Sequence, residues 1–223
     1  TCPNRDGAKG SGGCIFCSEG GSGDFAAPLL PGSAWLPVSA GSFCPPQLLD
    51  AIPDGVFRQI KEAKGRLARK LPKGCEKYIA YFQSYTNTYA PLPYLERLFS
   101  SALSHPDIAA LSIGTRPDCL PQETIELLAR LDSQKPVWVE LGLQTIHEPS
   151  AAFIRRGYSL DCFLDAFSRL RAAGLTVIVH VILGLPGEDR EMMLQTVRFL
   201  GDLKVDGIKL QLLHILSGTD LGE

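Results

Sequence analysis

The sequence lacks a strong charge of either sign and any apolar run long enough to cross a bilayer. Its 223 residues carry a formal net charge of −2, so no overall basic field would gather nucleic acid. The most apolar stretch, residues 175–185, is far shorter than the roughly 20 residues that a membrane helix needs, and we find no signal-peptide pattern. The composition therefore predicts no membrane partner and gives no independent support to a nucleic-acid partner.

A disulfide scaffold is also disfavoured. The seven cysteines are an odd number, and with 45% of its residues in the hydrophobic class the chain can bury one substantial core without cross-links. We therefore expect a reducing, cytoplasmic compartment and thiols that bind metal. Cys44, Cys75, Cys119 and Cys162 are dispersed, and most of them are predicted to be buried small hydrophobic residues.

Apolar segments alternate with helical patterns, which predicts an α/β fold with parallel strands and right-handed crossovers. The predicted strands are 77–83, 110–114, 137–143, 175–185 and 207–216, and the predicted helices are 56–71, 93–103, 122–131, 151–156, 160–173 and 190–203. An open doubly wound sheet and a (β/α) barrel both match this order. No G-x-G-x-x-G motif follows a strand, which weakens the case for a doubly wound, dinucleotide-binding sheet. Polar and glycine residues follow every strand, which suits the mouth of a barrel.

Three cysteines within the first 17 residues carry the strongest chemical signal. Cys14 and Cys17 form a C-x-x-C pair, and Cys2 lies upstream across a glycine-rich loop. A structural zinc ion or an electron-transfer [4Fe–4S] cluster normally takes four protein ligands. Three thiolates would leave one iron of a four-iron cluster open for a small molecule. The spacing favours such a cluster over zinc with Cys44 or a histidine as fourth ligand, and ordinary free cysteines are the remaining alternative.

Residues 1–55 are rich in glycine, proline and serine and show little periodicity, which predicts a long loop region that a ligand orders. We therefore divide a single domain into a cluster-binding loop region over 1–55 and a partial (β/α) barrel over 56–223. Because the sequence does not begin with Met and opens on the cysteine loop, we expect it to be a fragment of a longer chain.

The ordered motifs resemble the radical S-adenosylmethionine (SAM) superfamily over essentially the whole sequence. Within that superfamily, the chain is similar to a bacterial group related to the Elongator catalytic subunit and to oxygen-independent coproporphyrinogen dehydrogenase. The motifs that carry the resemblance are CPNRDGAKGSGGCIFC, FQSYTNTY, SIGTRPDCL, VELGLQTI, HVILGLPGE and IKLQLLHIL. The first gap between cysteines is longer than in the C-x-x-x-C-x-x-C spacing usual for the superfamily, and this longer gap suits the subgroup.

The resemblance implies an incomplete, laterally open (β/α)6 TIM-like barrel whose first strand is missing from this sequence. It implies a [4Fe–4S] cluster on Cys2, Cys14 and Cys17 whose open iron chelates SAM. An electron donor such as flavodoxin or ferredoxin would reduce the cluster, and SAM would be cleaved to methionine and a 5′-deoxyadenosyl radical that abstracts hydrogen from a substrate. Likeness to the Elongator subunit makes tRNA a candidate substrate. The alternative is a non-catalytic module that binds zinc or an iron–sulfur cluster.

The resemblance also implies a set of SAM contacts in this sequence: Phe16, Gln83, Ser84, Glu140, Gln144, Arg156, His180 and Gly184. Phe16 is expected near the adenine. Gln83 and Ser84 stand where related enzymes carry a Gly-Gly-Glu-like motif that holds the methionine amine, so this contact differs here. A strand-end turn with satisfied side chains is the alternative for both.

The remaining contacts lie in or after the third and fourth predicted strands. Gln144 matches a SAM contact, and Arg156 matches a basic residue that approaches the SAM carboxylate, which a guanidinium can bind with two hydrogen bonds. His180 occupies the position that meets the ribose, and Gly184 permits a close approach of backbone to adenine. Glu140 is predicted to point into the barrel, where it is costly unless paired. A solvated helix end for Arg156 and a core position for His180 remain open.

Overall fold

The computed structural model of the chain describes residues 1–21, 29, 44–72 and 74–223. The helices are α1 (Pro46–Leu67), α2 (Leu92–Ser104), α3 (Gln122–Asp132), α4 (Glu148–Phe153), α5 (Leu160–Ala172) and α6 (Arg190–Asp202), with a short 3₁₀ helix at Pro117–Cys119. The strands are β1 (Tyr78–Phe82), β2 (Ile108–Thr115), β3 (Val137–Gln144), β4 (Thr176–Leu183) and β5 (Gly207–Leu212). The predicted alternation of strands and helices is confirmed.

Helix α1 departs furthest from the prediction, because it begins at Pro46 rather than at residue 56. Pro46 is the first helical residue, where a missing N–H costs nothing, and Pro53 is accommodated inside the helix. The loop prediction is therefore wrong over 46–55. Residues 22–28 and 30–43, which the same prediction covers, lie outside the described residues.

Two smaller differences occur at helix α4 and strand β5. Helix α4 spans Glu148–Phe153, three residues earlier than predicted, with proline in its first turn. Strand β5 ends at Leu212 because its pairing partner β4 ends at Leu183. The sequence predicted a strand as far as residue 216 because the residues after Leu212 are mostly apolar. In the described part of the chain, the strand pairing of β4 with β5 ends at Leu212.

The sheet order is β1-β2-β3-β4-β5, the same as the order along the chain, and every neighbouring pair is parallel. A doubly wound sheet reverses its strand order at a switch point, whereas a (β/α) barrel does not. The order therefore selects the barrel. Among the described strands, β1 and β5 form the two edges and do not pair with each other, so the sheet is an incomplete barrel.

The core lies between the outer face of the sheet and the helices. On β3, Val139, Leu141 and Leu143 are each fully buried on that face. Valines of β4, with Leu111 and Ile113 of β2, continue this apolar layer. Continuous apolar strands of this kind are typical of parallel sheets that helices cover. The alternate residues of each strand, polar ones among them, therefore face the barrel interior.

None of the helices in the described ranges combines the length and apolarity needed to span a lipid bilayer.

Candidate functional site

A cavity of about 180 Å³ opens at the carboxyl ends of the strands. We call it the rim cavity. All three amino-terminal cysteines line it, and so do six of the eight predicted SAM-contact residues: Phe16, Gln83, Glu140, Gln144, Arg156 and His180. In a parallel βα barrel every strand end meets at the same rim. The strand ends and the cysteine loop, far apart in sequence, are thus brought to one place.

Side-chain hydrogen bonds anchor the cysteine loop to this rim. The amide nitrogen of Asn4 donates to the carbonyl oxygens of Arg155 and Arg156, at 2.8 and 3.2 Å. Arg5 Nη2 donates to the carbonyl oxygen of Cys17 at 2.9 Å, which closes the loop on itself. The loop therefore has fixed contacts to the segment between α4 and α5, although it contains no regular secondary structure.

A small apolar cluster holds the C-x-x-C pair from the other side. Ile15, between the two cysteines, is buried with Ile154, Ile182 and Leu185, and Phe16 packs against the same cluster. The backbone N–H of Ile15 also donates to the carbonyl of Ile154 at 3.3 Å. Burying these side chains removes apolar surface from water and stabilises this placement of the pair. Phe16 therefore lines the rim cavity and also packs against this small apolar cluster.

The three thiols lie close enough to influence one another. Burial raises the pKa of Cys14 to about 11, and the neighbouring Cys17 and Cys2 contribute to this rise because like charges disfavour ionisation. Metal binding requires the thiolate form, so a metal that binds Cys14 must displace its proton. Of the four dispersed cysteines only Cys119 is buried, so the prediction that most of them are buried is wrong.

Glu140 is the centre of a buried charge network inside the barrel. It is 7% exposed and accepts hydrogen bonds from Ser112 Oγ at 2.5 Å, His180 Nε2 at 2.5 Å and Lys209 Nζ at 3.0 Å. Burial disfavours its ionisation, but these hydrogen bonds outweigh burial and lower its pKa to about 2. Because a carboxylate only accepts, Nε2 of His180 carries the proton. The predicted inward orientation of Glu140 is confirmed. The free-energy cost of burying its carboxylate is offset by the hydrogen bonds from Ser112, His180 and Lys209.

Arg156 is a buried residue and not a solvated helix end, since it is only 1% exposed. Its guanidinium donates to the carbonyl oxygens of Tyr158, Leu143 and Thr145 and to Glu148 Oε1, at distances from 2.7 to 3.1 Å. Four of its five N–H groups are thereby used. One N–H remains for the predicted contact with the SAM carboxylate, so the two-hydrogen-bond form of that contact would require rearrangement.

Backbone strain concentrates around the rim cavity. Four non-glycine residues in the described ranges have positive φ, and three of them, Tyr85 (59°), Gln144 (70°) and Arg155 (54°), belong to the segments around it. At Gln144 the pairing of β3 with β4 shifts register, and such bulges re-aim side chains. A non-glycine residue with positive φ destabilises the backbone by about 1–3 kcal/mol, and such residues are typical of functional sites.

Two of the predicted SAM contacts lie outside the rim cavity lining. Ser84 lines a neighbouring groove between α1 and β1, and its buried Oγ has no hydrogen-bond partner in the described part of the chain. Gly184 has a φ of +81°, as a turn after β4 requires, and its N–H faces the sulfur of Met193. Both remain predictions to which the cavity lining adds no support.

Sequence reasoning missed Asn4 and Tyr158. Asn4 anchors the cysteine loop, and Tyr158 lies between two guanidinium groups, with Arg116 at 4.8 Å and Arg156 at 4.9 Å from its ring centroid. Arg116 and Asp118 form a bidentate ion pair, with both hydrogen bonds at 2.9 Å. No periodicity or spacing in the sequence indicates Tyr158, since Arg116, at the end of β2, is far from it along the chain.

The donor set fits an iron–sulfur cluster better than zinc. In the described ranges, no group of three or more His, Cys, Asp or Glu side chains could hold a single metal ion, and a zinc site needs such a convergent set. Neither expected fourth zinc ligand is available at the cavity. Cys44 is not among the residues that line it, and His180, which lines it, is hydrogen-bonded to Glu140. A cluster takes each thiolate on a separate iron, which suits three thiols spread around one cavity.

Comparison with known proteins places the chain in a family. A model of the radical SAM superfamily matches residues 7–200. The matched range includes Cys14 and Cys17, while Cys2 lies before it. The chain therefore belongs to the radical SAM superfamily, whose members are enzymes that bind a [4Fe–4S] cluster and SAM. The resemblance drawn from the motifs is confirmed.

Two relatives illustrate the range of sequence similarity. The chain is 43% identical to the uncharacterized protein YtqA of Bacillus subtilis over 220 residues, covering 99% of this chain and 61% of YtqA. It is 34% identical to the tRNA uridine(34) acetyltransferase of Methanocaldococcus jannaschii over 117 residues, covering 51% of this chain and 21% of that protein. The chain thus spans about three fifths of the length of YtqA.

Solved structures confirm the incomplete barrel. The archaeal Elp3 of Methanocaldococcus infernus, with an amino-terminal deletion, superposes with a TM-score of 0.64 at 21% identity, covering 80% of this chain and 46% of that chain. The radical SAM enzyme HemN of Escherichia coli, a coproporphyrinogen III oxidase, gives a TM-score of 0.54 at 17% identity, covering 62% and 32%. At these identities the similarity concerns the fold.

Proposed function

We propose that this chain is the catalytic barrel of a radical SAM enzyme, with Cys2, Cys14 and Cys17 as the three protein ligands of a [4Fe–4S] cluster. SAM would occupy the rim cavity beside the open iron. The observation that supports this proposal most strongly is that the three thiols and six candidate SAM contacts line one cavity. The bound cluster would supply the electron that cleaves SAM to methionine and a 5′-deoxyadenosyl radical.

The residues of the chain would bind and orient SAM and limit access of water to the radical. Phe16 offers an aromatic face for the adenine, and His180 offers its Nδ1 to the ribose because its Nε2 is engaged by Glu140. Gln144 would present its amide from the bulge at the end of β3. Glu140 would act as a positioning residue for His180. Gln83 and the remaining N–H of Arg156 would serve the methionine moiety.

The substrate that we propose is a tRNA base, and the support for it is the partial similarity to the tRNA uridine(34) acetyltransferase. The net charge of −2 adds no support. A small electron-transfer protein such as flavodoxin or ferredoxin would supply the electron in the cytoplasm.

Metal analysis tests the ligand assignment against the zinc-binding alternative. After anaerobic reconstitution we expect about four irons with matching acid-labile sulfide per chain, as the composition of a four-iron cluster requires. Cys14→Ser should lose most of this iron, while Cys75→Ser, which alters an exposed cysteine, should retain it. One tightly bound zinc and no sulfide would refute the proposal.

A further inference from the structure

Arg116 lies at the carboxyl end of β2, directly behind the cysteine loop, and it is 8% exposed. One of its terminal nitrogens, Nη1, lies 4.0 Å from the sulfur of Cys2 and donates to the carbonyl oxygen of Arg156 at 3.1 Å. A guanidinium is charged at every accessible pH. A permanent positive charge therefore contacts one of the three proposed cluster ligands.

Asp118 fixes the orientation of this guanidinium. The carboxylate binds the opposite edge, taking hydrogen bonds from Nε and Nη2, both at 2.9 Å. The carboxylate also contacts Lys9, whose Nζ lies 3.4 Å from Asp118 Oδ2, and accepts from the thiol of Cys119 at 3.7 Å. The ring of Tyr158 covers the guanidinium face at a centroid distance of 4.8 Å. Asp118 thus binds one edge of the guanidinium and Tyr158 covers its face, which leaves Nη1 on the edge nearest the sulfur of Cys2.

We propose that Arg116 is a positioning residue that raises the reduction potential of the cluster by hydrogen bonding to the Cys2 thiolate. This inference rests on the proposed function. Reduction adds one electron and hence one negative charge to the cluster. A nearby positive charge and a hydrogen bond to a ligand sulfur both stabilise the more negative state. Loss of the charge from this buried position should make reduction less favourable.

The midpoint potential of the reconstituted holoprotein tests the inference, measured by electron paramagnetic resonance during a dithionite titration. Arg116→Gln should make one-electron reduction about tenfold less favourable, a shift of about 59 mV to more negative potential. Asp118→Asn should shift the potential in the opposite direction, because it removes the negative charge that offsets the guanidinium. A merely structural role would not produce shifts of opposite sign.

Arg155→Gln is the matched control, since the side chain of Arg155 is half exposed and paired with Asp220, and its potential should equal that of the wild type. Arg116→Lys keeps the charge without the planar fork and should fall between wild type and Arg116→Gln. Equal potentials in Arg116→Gln and Arg155→Gln would overturn the inference. So would failure of both Arg116→Gln and Asp118→Asn to retain the cluster, because the pair would then be a structural brace. A wild type without any cluster would instead refute the proposed function.

Discussion

Glu140 joins the fold to the chemistry at the scale of single residues. The carboxylate sits inside the barrel with three donors from three other strands, Ser112, His180 and Lys209. Each donor belongs to an adjacent or next-adjacent strand of the parallel sheet. A buried network of this kind is stabilising only when every member is paired. We therefore expect Glu140 to matter for stability and for the orientation of His180.

Glu140→Gln should destabilise the fold by about 1–3 kcal/mol at neutral pH, because charged hydrogen bonds to two basic groups are lost. The pKa of Glu140 in the folded protein is about 2, below its ordinary 4.5. Its contribution is therefore present above about pH 4.5 and disappears as pH falls toward 2. Urea unfolding at several pH values should show the difference between wild type and variant shrinking over that range. The exposed Glu126→Gln provides the control, and a pH-independent difference would contradict the account.

Arg156→Met should destabilise the protein by about 3 kcal/mol, since it leaves three carbonyl groups of the rim without a donor. Arg155→Met, which removes a half-exposed side chain, should cost far less. Urea unfolding measures both. If Arg156→Met instead unfolds like the wild type and only loses affinity for SAM, the residue acts as the ligand contact predicted from the motif and not as the brace that its hydrogen bonds describe.

At the scale of elements, the cysteine loop depends on the connection between α4 and α5. Asn4 crosses from the loop to carbonyl groups in that connection, and Gly157 makes the close approach possible. A Cβ at position 157 would lie 2.6 Å from Asn4 Oδ1, and the φ of Gly157 is +80°. Any other residue there must displace Asn4. We infer that this contact sets the position of Cys2 relative to Cys14.

Gly157→Ala should therefore lower the iron bound per chain after reconstitution, in addition to the cost of about 1–2 kcal/mol for an L-residue at positive φ. Gly174→Ala is a matched control, because Gly174 has a φ of +77° but no atom within 4 Å of the position that a Cβ would take. Gly157→Ala should lose at least as much stability as Gly174→Ala, and only Gly157→Ala should lose iron. Equal iron content in the two would show that the Asn4 contact does not position the loop.

The elements that the sequence predicted well are those whose signal is local. Helices α2, α3, α5 and α6 were predicted within one residue at each end, because apolar periodicity and flanking turn residues mark them. The start of α1 was missed because Pro53 and Gly55 read as a loop. The position of Tyr158 was missed for a different reason, since Arg116 at the end of β2 reaches its ring only in the folded chain. The hydrogen bonds of Arg156 stay within residues 143–158, but most of their acceptors are backbone carbonyl groups, which no sequence pattern marks.

At the scale of the whole molecule, the in-order parallel sheet brings the functional residues together. Five strand ends converge on one rim, so residues from position 83 to position 211 share a cavity with cysteines from the first 17 residues. Both sheet edges, β1 and β5, pair on one side only within the described strands. The chain spans 61% of the length of YtqA.

Formation of 5′-deoxyadenosine tests the central claim most directly. Anaerobically reconstituted protein should convert SAM to 5′-deoxyadenosine and methionine when dithionite is added. Cys14→Ala should abolish this product, whereas Cys75→Ala should leave its rate unchanged. If Cys14→Ala cleaved SAM at the wild-type rate, or if brown, iron-replete wild type produced no 5′-deoxyadenosine, three cysteines with an open iron beside a SAM cavity would be the wrong description of this site.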